Sequence, residues 1–384
     1  MVTTESIATG YTGSDMQQKI RACIKHHVDT QGTWIVVLGG DDTVVVDRDT
    51  KVSAGGETES AMPTDLYYSC LDGNWNANNN AIYGEVADNV DLGFDVVVGR
   101  IPVRTTAQAK AYIDKVIRLE DNPPAGMFDK FLMGGDGLDM LSYVNGTAVS
   151  SDQGIESVDG HLPLFSRPGS TINDDEVWSR RLHRDYVAAS GFTASTIRCF
   201  FSSLTSWDGP VPGDYEVNDT NMATRFNENW GLVWWFTHGN DTLWAAGGDN
   251  GGFNPDEALA LTGCTQLVGT AACLTAGFDM AEPCLSEGFL RNPDGGAVVY
   301  LGCSRFGWGG SEPYGGPSPE YAGIFYRLLL GGSNRMAGPA FAGSKQYFAS
   351  VSSLGDNPYR WIQFGLNFQG DPAYRLRLNN TPPL

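Results

Sequence analysis

Residues 231–273 read GLVWWFTHGNDTLWAAGGDNGGFNPDEALALTGCTQLVGTAAC. Two apolar runs, LVWWF at 232–236 and LVGTAAC at 267–273, bracket a polar, glycine-rich connection. Each run is short and mostly apolar, the pattern of a strand buried on both faces. The connection has room for a loop and one helix, which is what a right-handed strand–helix–strand crossover requires. In an open parallel sheet, functional groups gather just beyond the carboxyl ends of the strands. His238 stands past the end of the first run and Cys273 at the end of the second. If the two strands are neighbours, an imidazole and a thiol share one rim, a common way to obtain a nucleophile at neutral pH. Ala271, Ala272 and Gly277 leave space there for a substrate backbone, and Gly239 can bring its N–H to a developing oxyanion.

The same rhythm extends outward in both directions. WIVVLGG at 34–40, FDVVVGRIPV at 94–103, KFLMGGDG at 130–137, STIRCFF at 195–201 and GGAVVYLGCS at 295–304 all read as strands. Between them lie helical patterns. Met16, Ile20, Cys23 and Ile24 share one helical face behind a Ser14-Asp15 cap, and residues 105–124 form an amphipathic helix with capping-box spacing at Thr105 and Gln108. Further helices are expected at 175–190, near 282–291 and at 318–330. The long polar stretch between the first two strands, rich in glycine, asparagine and aspartate, reads as loop. Strands alternating with helices predict an α/β fold, a mostly parallel sheet flanked by helices. Pro123-Pro124 is the best boundary, giving a smaller N-terminal α/β subdomain at 1–124 and a larger one at 125–384.

Composition narrows the function. A chain of 384 residues with 41% apolar content is globular and can build substantial cores. A formal net charge of -20 repels phosphate backbones, which argues against a nucleic-acid partner. No apolar run is long enough to cross a bilayer, and no signal-peptide pattern opens the chain, as expected of a module from a longer precursor. The seven cysteines include no C-x-x-C pair, so a zinc ribbon is not expected. Most read as buried thiols, with Cys264 in a loop or helix.

FTHGN at 236–240 with TAACLTAGFD at 270–279 resembles the His-Gly and Ala-Cys motifs of the gingipain family, in the caspase-like clan of cysteine peptidases. Four more stretches carry the likeness in the expected order: WIVVLGGDD at 34–42, PTDLYYSCLDGN at 63–74, VVVGRIPVRTTAQAKAYIDKVIRLE at 96–120 and FQGDPAYRLRL at 368–378. The Gly-Arg-Ile-Pro passage and the late Gly-Asp-Pro are the more specific marks. The resemblance implies a caspase-like sheet whose 125–384 part is catalytic, and a cysteine endopeptidase acting on protein or peptide through an acyl-enzyme.

Carried over residue by residue, the resemblance makes Cys273 the nucleophile and His238 its proton partner. The backbone N–H groups of Gly239 and Cys273 hold the oxyanion. Asp136, at the end of its strand, would contact the histidine, although the family often has glutamate there. Cleavage after arginine or lysine in the family rests on an acid at the start of a later helix, and TINDDEVW at 171–178 offers Glu176 and then Asp175. In CSRFGWGG at 303–310, Trp308 matches a tryptophan lining that pocket, while Arg305 would neutralise it. The chemistry needs no cofactor. Gingipain-like enzymes often carry calcium, and Asp72, Asn74, Asn76 and Glu85 are candidate oxygen ligands, with Asp65 and Asn78 nearby. That loop lacks the helix-loop-helix calcium register, and a polar surface loop is the simpler reading. Export or a cell-surface location suits the acidic, glycine-rich composition, with the cytoplasm as alternative. Two other functions compete: a caspase-like peptidase of another, intracellular branch, and a catalytically silent caspase-like binding module.

Overall fold

The computed structural model describes residues 1–135, 142–144, 147–149, 155–156, 171–173, 182, 187, 197–201, 214–215, 218–245, 251–280, 283–309, 316–332 and 334–378. Among these, nine strands form one sheet: β1 (Ile35–Gly39), β2 (Val97–Ile101), β3 (Phe131–Gly135), β4 (Ile197–Phe201), β5 (Asp214–Tyr215), β6 (Trp230–Phe236), β7 (Cys264–Thr270), β8 (Gly296–Cys303) and β9 (Leu366–Gly370). Their spatial order is β1-β2-β9-β8-β7-β6-β3-β4-β5. Every neighbouring pair is parallel except β8 and β9. The sheet is therefore two parallel blocks running in opposite directions, with the late strand β9 stitching β1 and β2 to the rest. Pro123-Pro124 lies just past the helix Thr106–Asp121, before β3 begins.

Local sequence accounts for these elements. The Asp15 carboxylate accepts the N–H of Gln18 at 2.8 Å and starts the helix Met16–Gln31, which ends at Gly32 in the left-handed region. Thr105 and Gln108 close a reciprocal capping box on the helix Thr106–Asp121. β6, β7 and β8 are buried along their whole length, β6 and β8 as mostly apolar runs and β7 with Thr265, Gln266 and Thr270 buried among its apolar residues. Trp235 sits in an aromatic cluster with Phe226, Trp244, Phe253, Phe289 and Tyr300. Gly134 on β3 makes the room, since a Cβ there would lie 2.0 Å from the Trp235 ring.

A second core lies toward β1 and β2. It gathers Ile20, Cys23 and Ile24 with Met62, Tyr68 and Trp75, and closes them against Trp361, Ile362 and Phe364 from late in the chain. No helix among the described residues is long and apolar enough to cross a membrane.

Three readings change. The polar stretch between β1 and β2 is not all loop: Arg48–Ala54 and Glu57–Thr64 pair as an antiparallel hairpin. Its first strand buries Arg48 and Thr50 alongside Val52 and Ala54, so the alternation is real but only half apolar. β9 escaped notice for a similar reason, because Asn367 and Gln369 are buried within it. The Gln369 amide donates to the Ala276 carbonyl at 3.0 Å, and that of Asn367 to the Gly365 carbonyl at 3.1 Å. Cys264 opens β7 rather than sitting in a loop or helix; its N–H is received by the Asn229 side chain at 2.9 Å. The helix expected at 175–190 falls largely outside the described residues.

Candidate active site

β6 and β7 are hydrogen-bonded parallel neighbours with Trp235 opposite Thr270. His238 and Cys273 therefore leave the sheet at the same carboxyl-end rim. The turn after β6 is fixed by its own bonds. The Ala245 N–H donates to the His238 carbonyl at 2.9 Å, and the Thr237 hydroxyl to the Ala245 carbonyl at 3.0 Å. The Asn240 side chain accepts N–H groups of Thr242 and Leu243. The backbone is held while His238 itself is exposed.

The loop after β7 is held more tightly. The Ala272 N–H donates to the Thr270 hydroxyl at 3.0 Å, and Leu274 follows the thiol with a φ of 63°. A left-handed leucine costs about 1–2 kcal/mol and persists only where its surroundings impose it. Here they do: Leu274 donates its N–H to the Arg305 carbonyl at 2.9 Å, and Ala276 donates to the Cys303 carbonyl at 3.1 Å. The extension of β8 thus runs alongside the Cys273 loop.

The two loops touch. A Cβ on Gly239 would lie 2.9 Å from the Ala272 Cβ, the Cys273 carbonyl oxygen and a Thr275 methyl, so only glycine fits. Neither the Gly239 N–H nor the Cys273 N–H donates to another described residue. The Cys273 sulfur is half-buried and receives the Gly307 N–H at 3.3 Å. Burial pushes the Cys273 thiol above its ordinary value, and the Gly307 N–H works in the opposite direction. Gly307 is required by space as well, since a Cβ there would meet the Ala271 carbonyl at 2.0 Å.

Of the other expected site residues, Asp136, Asp175 and Glu176 lie outside the described residues. Trp308 follows Gly307, whose N–H reaches the thiol. It exchanges hydrogen bonds with Ser318, its N–H to the hydroxyl at 2.9 Å and its carbonyl from the Ser318 N–H at 2.9 Å. Its ring sits edge-on to Trp361 at 5.7 Å, and the hairpin turn covers it at Gly55, where a Cβ would come within 2.4 Å of the indole. Arg305 does not neutralise a pocket with free charge. Its guanidinium is spent on Asp279, Glu59 and two carbonyls.

The candidate calcium loop bonds to itself. The Asn74 and Asn76 side-chain oxygens accept the N–H groups of Asn76 and Ala81. Glu85 accepts the side-chain amides of Asn78 and Asn80 through one oxygen. Asp72 is exposed and grouped instead with Cys70 and Asp95. Asp95 already receives the N–H groups of Leu71 and Asp72, and burial pushes the Cys70 thiol up. Oxygens committed to turns do not make an open oxygen cage, and calcium does not fit this donor set as it stands.

Sequence reasoning missed the Arg305–Gly307 segment as the partner of the nucleophile loop. The only local signal was its glycine-rich run directly after a strand.

The model of a family described as peptidase family C25 matches residues 1–377. Among solved structures, the chain is similar to the Arg-specific cysteine proteinase gingipain R (RgpB), at a TM-score of 0.66 and 18% identity over 97% of this chain and 71% of that one. A complex of Porphyromonas gingivalis RgpB pro- and mature domains gives 0.63 and 18% over 97% and 72%. A structure described only as a protease gives 0.61 and 16% over 96% and 70%. These likenesses speak for a shared caspase-like fold. No curated protein matches the sequence.

Proposed function

The chain belongs to peptidase family C25 and is a cysteine peptidase, and from that premise we propose that Cys273 is its nucleophile and His238 the group that exchanges protons with it. The supporting observation is the delivery of both residues to one rim by adjacent parallel strands, with Gly239 packed against the Cys273 carbonyl.

In this reading the Cys273 proton passes to His238 and the thiolate attacks the scissile carbonyl carbon, forming a C–S bond. The oxyanion forms where the N–H groups of Gly239 and Cys273 are available. The C–N bond then breaks, and the leaving amine takes the proton from the imidazolium. Water, giving a proton to His238, attacks the thioester; the C–S bond breaks, the Cys273 sulfur takes that proton back from the imidazolium, and the acid product leaves. Burial disfavours the Cys273 thiolate and the Gly307 N–H opposes it, so a proton acceptor such as His238 assists the attack. Asp136 serves as the acid that orients His238. Cleavage after arginine or lysine is assigned to Glu176 and Asp175, with Trp308 as the flat wall against the aliphatic stem. Acidic, glycine-rich composition supports a secreted or cell-surface setting.

Cleavage profiling on a diverse peptide library tests the pair and the pocket together. Cys273→Ala and His238→Ala should each reduce turnover roughly 10³-fold or more. Glu176→Gln with Asp175→Asn should selectively weaken cleavage after basic residues. Full turnover in Cys273→Ala would remove the nucleophile assignment and require a different nucleophile. An unchanged basic preference in the amide variants would remove the acidic pocket alone.

A further inference from the structure

We propose that Arg305 is a positioning residue for the nucleophile: its guanidinium clamps the loop after Cys273 to the hairpin so that the Gly307 N–H and the Cys273 sulfur stay in register. This rests on the reading of Cys273 as nucleophile.

All five N–H donors of the Arg305 side chain are used. Nη1 and Nη2 take the two oxygens of Asp279 end-on, at 3.0 and 2.7 Å. Nε donates to Glu59 at 3.1 Å, and the remaining N–H groups reach the Ala61 and Ser304 carbonyls, each at 2.9 Å. Three chain segments meet at this one group. Glu59 and Ala61 belong to the hairpin, Asp279 to the nucleophile loop, and Arg305 to the extension of β8.

The same residue grips the loop a second time through its backbone, because its carbonyl accepts the Leu274 N–H. The loop is therefore pinned on both sides of Thr275–Phe278, at Leu274 and at Asp279. That double hold imposes the left-handed leucine directly after the thiol. Two residues beyond Arg305, the Gly307 N–H reaches the sulfur. A shift of the 305–307 segment would move that donor away.

The charge around the clamp favours a cation at this position. Glu59 and Asp49 face it from the hairpin and Asp279 from the nucleophile loop, with Asp42 and Asp47 also in the field of Asp279; Arg48 offsets Asp49, and Arg100 offsets Asp42 and Asp47. Without Arg305 these carboxylates repel one another across the segments they now hold together. A lysine keeps the charge but lacks the planar fork.

The test uses the full chain and iodoacetamide as probe, with alkylation at Cys273 followed by peptide mass mapping across pH, alongside kcat and KM on the best library peptide. Arg305→Ala should move the half-maximal alkylation pH upward by about one unit. It should lower kcat about 10²-fold, with KM within about threefold. Arg305→Lys should fall between Arg305→Ala and wild type, and Asp279→Asn should shift both readouts in the same direction. If Arg305→Ala does not fold, the lysine and asparagine variants decide. Folded variants with the wild-type alkylation profile and kcat would overturn the proposal, and a Cys273→Ala enzyme that still turns over would separately overturn the reading beneath it.

Discussion

At the scale of single residues, the site depends on what is small and what is held. Gly239 has three atoms within 2.9 Å of where a Cβ would stand, two of them from Ala272 and Cys273 themselves. Gly239→Ala must therefore displace either the histidine turn or the nucleophile loop. Loss of an oxyanion donor typically raises a barrier by ~3 kcal/mol. Turnover in Gly239→Ala should thus fall on the order of 10²-fold, with Tm lowered by the forced shift; activity within twofold of wild type would show that the site tolerates a displaced Gly239 N–H. That His238 and Cys273 share one rim was legible in the sequence, because each follows a mostly apolar run that reads as a buried strand. The Gly307 donor was not legible, because a backbone N–H leaves no mark in residue type.

At the scale of elements, legibility followed whether the deciding interactions are local. The capping box at Thr105 and Gln108 closes within one turn and was readable. The hairpin was not, because its inward side chains find partners far away. Arg48 pairs with Asp15 at 2.9 Å and lies over the rings of Tyr67 and Tyr83. Just before that hairpin, Asp47 has a buried carboxylate oxygen with no partner, and burial pushes the group from 3.8 up to about 7. The folded state therefore holds this proton more tightly than the unfolded chain does. Its stabilising contribution is fully present below the unfolded value and is lost as pH rises through about 7. Asp47→Asn should accordingly flatten the fall in Tm between about pH 4 and about pH 8, and should be the more stable protein at the upper end. Parallel Tm curves for the two proteins across that range would show that Asp47 titrates normally.

At the scale of the whole molecule, the alternating strands and helices foretold an α/β sheet, and the direct pairing of β6 with β7 bears out the crossover that joins them. What the linear pattern could not convey is that β9 returns from the far end of the chain, antiparallel to β8, and divides the sheet into opposed blocks. Nor could it show that the hairpin reaches across to Arg305 and Trp308, since contacts between distant segments have no periodicity. Both features bear on the rim proposed as catalytic: the strand ends deliver the thiol and imidazole, and the hairpin braces the segment beside them. The most direct measurement of whether those two groups work together is labelling with a peptidyl acyloxymethyl ketone, mapped by mass spectrometry in the wild type and in His238→Ala. A single modification at Cys273, loss of turnover in step with labelling, and much slower labelling without His238 are the expected results. Modification of a different cysteine, or turnover that survives full labelling of Cys273, would contradict the account.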